Sequence, residues 1–160
     1  MTLASSDDPF VGLDPSPQEV LDALIADDWA LLTSLVGRIR NHQGSFGERI
    51  PPRRIDDKRM AMGYCVTGDL VDEAYKFLYA HGLVLTGFDW VNWAHGRTLL
   101  NGENTSAISD LTVEETLGLI TMIVRSDRFS EGALLRAFDS GTMPKLFAHL
   151  LDFADIAKNP

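Results

Sequence analysis

Apolar positions recur at three- and four-residue spacing along most of this chain, and the strongest run lies in its last third. Leu117, Ile120, Thr121 and Val124 fall on one helical face, and Leu119, Met122 and Ile123 widen it until little polar surface remains. That is the pattern of a helix buried on nearly all sides. Thr112 and Glu115 have capping-box spacing, so this helix is predicted to begin near Val113. After Arg125-Ser126-Asp127-Arg128-Phe129, Ser130 stands as the N-cap of a second helix over Glu131 to Ser140. Leu134, Leu135 and Phe138 form its apolar face, and Gly141 fits the left-handed position that ends it. A third helix, Met143 to Ala157, has Pro144 in its first turn and repeats Leu146, Phe147, Leu150, Leu151, Phe153 and Ile156. Connections this short make the three helices packing neighbours.

The upstream half is punctuated in the same way. Ser16-Pro17-Gln18-Glu19 joins a capping box to proline at the first helical position. Leu21, Leu24, Ile25, Leu32, Leu35, Val36 and Ile39 carry the apolar face on to Asn41 or Gly44, with Trp29 beside it and Asp27-Asp28 as the point of division into two helices. Gly44 to Asp57, broken by Gly47, Pro51 and Pro52, reads as a surface loop. Met60 to Val66 reads as extended. Thr67 or Asp69 caps a helix through Leu70, Val71, Ala74, Phe77 and Leu78 that Gly82 stops, and Leu83-Val84-Leu85 reads as a strand or extended link. Asp89 stands as the cap of a helix carrying Trp90 and Trp93, and Asn101 to Ser109 reads as a loop. The fold class is mainly α: a single-domain helical bundle of about five to seven helices with one or two short strands, spanning residues 16–157. A flexible N-terminal arm, residues 1–15, precedes it.

Composition narrows this picture. A chain of 160 residues, 45% hydrophobic and 23% charged, fits one ordinary globular domain. Cys65 is the single cysteine, which excludes an internal disulfide and a cysteine-based zinc site and fits the cytoplasm. Met1 to Asp14 has no basic and apolar leader pattern, and no later run approaches the roughly 20 apolar residues of a membrane span, so no membrane role is expected. A formal net charge of −9 argues against direct nucleic-acid binding by the surface as a whole. Arg49, Arg53, Arg54, Lys58 and Arg59 form a basic island, but Glu48, Asp56 and Asp57 are interleaved, the pattern of a solvated loop that pairs internally.

Familiar catalytic patterns are missing: there is no Walker loop, no G-x-G-x-x-G, no H-E-x-x-H and no nucleophile elbow. His42, His81, His95 and His149 are scattered singly, so neither a metal nor a cofactor is expected. Two constellations remain as ligand- or partner-binding candidates. In the first, Trp90, Trp93 and Arg97 share a helical side with Asp89 at its start, a rim for a flat ligand or a hot spot for a partner. The competing reading makes the tryptophans core and Asp89 a cap. In the second, Arg125, Asp127, Arg128 and Glu131 surround a helix break. Paired guanidiniums there suit a carboxylate or phosphate. The competing reading is a structural clamp, with Arg128 or Arg125 paired to Glu131, Asp139 or Asp89.

The run Arg125-x-x-Arg128-Phe129-Ser130-Glu131-Gly132, followed by Ala137-Phe138-Asp139-Ser140-Gly141, resembles the C-terminal signature of a prokaryotic family of unknown function. Phe88-Asp89-Trp90-x-x-Trp93 with Gly96-Arg97 resembles that family's second signature, so the likeness spans about residues 64–150. It implies relatives and no activity. The residues themselves favour a non-enzymatic cytoplasmic interaction or regulatory domain, working with a protein partner or as a homo-oligomer. A small-ligand domain or enzyme acting on an anionic or aromatic compound is the alternative. A second alternative is an acidic inhibitor mimicking nucleic acid, which requires Asp22, Asp27, Asp28, Asp72 and Glu73 to form one stripe.

Overall fold

The computed structural model of the protein describes residues 8–101 and 105–158. The chain order is α1 (Pro17–Asp22), α2 (Ala26–Asn41), β1 (Gly47–Ile50), β2 (Arg53–Asp56), β3 (Arg59–Ala61), β4 (Tyr64–Thr67), α3 (Asp69–Ala80) and α4 (Ala94–Asn101). A 3₁₀ turn (Thr105–Asp110), α5 (Val113–Ser126), α6 (Ala133–Asp139) and α7 (Thr142–Lys158) complete it. The described residues are thus mainly helical, with short antiparallel strands.

Helix α5 is the axis of the packing. Every residue from Thr116 to Val124 is buried, because α1, α4, α6 and α7 all lie against it. The capping box forms as expected: Thr112 Oγ1 accepts from the Glu115 N–H at 3.1 Å, and Glu115 Oε1 accepts from the Thr112 N–H at 3.1 Å. Helix α7 packs on α2, α5 and α6, and its Leu146, Phe147 and Leu150 are fully buried. Buried polar groups are satisfied locally. Thr121 donates to the Leu117 carbonyl and accepts from the Leu85 N–H at 2.9 Å, which ties the link 83–85 to α5 without any strand there. His149 bridges Asp152 and the Leu111 carbonyl, each at 2.8 Å.

The first predicted helix divides, as the Asp27-Asp28 interruption suggested. Asp28 lies in the first turn of α2 and accepts from the Ile25 N–H at 3.0 Å, where acid also suits the positive helix end. Upstream, Phe10 inserts its ring beside Phe88 and Trp93, so the described part of the N-terminal arm is anchored to the helices; residues 1–7 lie outside the described residues.

The segment read as a surface loop differs most. Gly47 to Thr67 is one long antiparallel ribbon. β1 pairs with β4 from Gly47↔Thr67 to Ile50↔Tyr64, and β2 pairs with β3 at Arg53↔Ala61 and Arg54↔Met60. The same register carries straight through the gap, so Pro51 and Pro52 stand opposite Gly63 and Met62. Prolines bring no N–H to a ladder, which explains the interruption. Gly63 is required there: a Cβ would come within 2.8 Å of the Pro52 ring and 2.9 Å of the Ile50 carbonyl oxygen. Residues 51–60 are all exposed.

Candidate functional site

The first constellation separates. Asp89 caps a turn, accepting from Asn92 N–H and from Asn92 Nδ2 at 2.8 Å, so the helix starts only at Ala94 and Trp90, Trp93 and Arg97 do not share one helical side. Trp93 is buried among Phe10 and Phe88, with ring centroids 5.3 and 5.4 Å away. Its indole fills the space left by two glycines. A Cβ on Gly96 would fall 2.1 Å from the ring, and one on Gly118 would fall 2.9 Å from it. Trp93 is therefore core.

Trp90 turns the other way. It lies 6.2 Å, centroid to centroid, from Phe129, a ring that is 82% exposed although it sits in the turn between α5 and α6. Between them opens a cleft of about 530 Å³, lined also by Val91, Arg97, Leu100, Met122 and Ser126. Arg97 stands at its edge, its Nη1 donating to the Val91 carbonyl. The chemistry of this cleft is aromatic and aliphatic surface beside one guanidinium, in the size range of a ligand pocket or a side-chain anchor site. Sequence reasoning placed Trp90 and Arg97 together and missed Phe129, although an aromatic residue alone among Arg128, Ser130 and Glu131 was a signal.

The second constellation also spreads out. Arg125 Nη2 reaches the Leu85 carbonyl at 3.4 Å. Asp127 accepts from the Leu134 N–H at 3.1 Å, capping α6, whose first residue is Ala133 rather than Glu131 because Gly132 adopts φ +87°. Arg128 is exposed and lies near Tyr75 of α3; among the described residues neither it nor Arg125 makes an ion pair with Glu131, Asp139 or Asp89, so the expected clamp does not form. Burial, and then the hydrogen bond shared with Tyr79, push the Tyr75 phenol above its ordinary value.

Glu131 and Asp139 have other work. Glu131 Oε1 accepts from the Cys65 N–H at 2.9 Å, and Gly132 leaves room for the Cys65 thiol, whose sulfur would stand 2.8 Å from a Cβ there. Asp139 accepts from the Ser45 hydroxyl and the Phe46 N–H, each at 2.8 Å. These two carboxylates hold both roots of the ribbon.

Elsewhere, carboxylates meet local partners. Glu73 binds Arg38 through two contacts of 2.6 and 3.2 Å, and that hydrogen bond holds its carboxyl below the ordinary glutamate value. Asp72 accepts from the Thr67 hydroxyl. Within the Asp22 to Glu73 set, Glu73 is thus met by the Arg38 guanidinium. Among the described residues no group of three or more histidine, cysteine or acidic side chains is arranged to hold a metal, and no helix is long and apolar enough to cross a membrane.

Comparison with curated proteins and with solved structures returned no match. A family model matches residues 24–155, a span that begins before α2, includes the whole ribbon and ends in α7. The chain belongs to a family of unknown function, DUF6508.

Proposed function

We propose that this protein is a non-catalytic, cytoplasmic interaction domain that binds a protein partner through the Trp90–Phe129 cleft. The observation that carries the reading is Phe129: a ring 82% exposed beside a half-buried tryptophan costs solubility and contributes nothing to the core. Tryptophan and arginine are the residue types in which binding energy concentrates. The occupant that suits this chemistry is a peptide segment presenting an apolar or aromatic side chain next to a carboxylate, which Arg97 would meet with its remaining donors.

The test is a displayed peptide library selected on the wild-type protein, with affinities then measured by fluorescence anisotropy. Aromatic-acidic peptides should emerge, and Phe129→Ser or Trp90→Ala should weaken them by roughly 2 kcal/mol, about thirtyfold. Arg97→Glu should reverse the preference toward lysine-bearing peptides. Selected peptides indifferent to all three substitutions would sink the reading. Binding of small aromatic acids in place of peptides would favour the small-ligand alternative.

A further inference from the structure

The ribbon has two faces, and only one is used by the helical body. Gly47, Arg49, Cys65 and Thr67 share the inner face, where Gly47 approaches Leu135 and Cys65 lies on Gly132. The continuous register places Glu48, Ile50, Pro52 and Arg54 on the outer face, together with Met60, Met62, Tyr64 and Val66 of the returning strand. The centre of that face is apolar and open: Met62 is 84% exposed and Tyr64 52%. A two-stranded ribbon alone in water is marginal, and further strands or a packed face normally support it.

The outer face carries its own complement. Glu48 and Arg54 stand three residues to either side of Pro51, at opposite ends of the apolar strip. A second ribbon laid antiparallel over the first, with a two-fold axis at Pro51 and Gly63, sets Glu48 of each copy over Arg54 of the other. The same operation sets Met62 over Tyr64 and Met60 over Val66, a self-complementary arrangement of the kind a two-fold interface requires. We infer that the outer face of the ribbon is a self-association surface, covered by the ribbon of a second copy of this chain. The inference does not involve the Trp90–Phe129 cleft.

Light scattering on the full-length chain across micromolar concentrations reads the outcome. Wild type should have the mass of a dimer. Met62→Asp with Tyr64→Asp, which sets like charges over one another, should give a monomer with an unchanged helical spectrum, since both side chains are exposed. Glu48→Arg alone and Arg54→Glu alone should each weaken the dimer by about tenfold or more through like-charge contacts, and the two combined in one chain should restore it. Phe129→Ser should leave the mass unaltered. A wild type that stays monomeric, or a dimer indifferent to the charge reversals, would overturn the inference. So would a monomer that binds a duplex oligonucleotide through Arg54, since the face would then belong to nucleic acid.

Discussion

Glu131 Oε1 lies 2.9 Å from the backbone nitrogen of Cys65, sixty-six residues earlier in the chain, so the turn that opens α6 grips the returning strand of the ribbon. With Asp139 on Ser45 and Phe46, it makes α6 the socket of the ribbon. These bonds are exposed, and each should contribute about 0.5–1.5 kcal/mol. Glu131→Ala and Asp139→Ala are expected to speed amide exchange at Cys65 and Phe46 while leaving α5 protected. Glu131→Gln keeps a carbonyl acceptor and should stay close to wild type. Arg128→Ala, lacking such a partner, should shift stability by less than about 0.5 kcal/mol.

Two glycines give opposite expectations. Gly118→Ala pushes a methyl into the Trp93 and Phe10 rings within a tightly packed core and should destabilise by roughly 1–3 kcal/mol. Gly37 of α2 has open space around its Cβ position, so Gly37→Ala should stabilise by about 0.5–1 kcal/mol. Urea titration with a constant m-value checks both.

His149 bonds two acceptors from a buried position, so removing the ring strands the Leu111 carbonyl. His149→Leu is expected to lower stability by about 1–3 kcal/mol. Asp152→Asn, on the exposed side of the same arrangement, should cost less.

Burial alone would raise the Glu115 carboxyl, but hydrogen bonds from His95 at 2.8 Å and from Thr112 outweigh it and leave the folded group below its ordinary 4.5. A depressed folded value means stability that is fully present above the unfolded value and is lost as pH falls through the folded one. Stability should therefore decline on acidification below about pH 4.5, with part of that slope removed in Glu115→Gln, as thermal denaturation across a pH series would record.

Much of the helical body was legible because its signals are local. Thr112 with Glu115 and Ser16 with Glu19 close their boxes within one turn, and the breadth of apolar positions in α5 forecasts its burial on all sides. The returning half of the ribbon was legible, since Met60 to Val66 read as extended, but its partner was not: Arg49 meets Cys65 across sixteen residues, and Gly47, Pro51 and Pro52 carry the composition of a loop. The Trp90-x-x-Trp93 spacing misled for a related reason. Asp89 was correctly seen as a cap, but it caps a turn formed with Asn92, and that one-turn delay sends Trp93 into the core and Trp90 to the cleft. Only the tertiary meeting of α5's end with this turn brings Phe129 to Trp90.

Pro51 and Pro52 give the ribbon a seam: the paired inner strands are rooted on α6, and the outer pair is joined to them across a level that lacks proline N–H groups. Arg53, Arg54, Lys58 and Arg59 all lie beyond that seam on exposed backbone. Trypsin should therefore nick the isolated chain there first, leaving the helices associated. The rate of that first cut then becomes a direct gauge of whether anything lies over the ribbon.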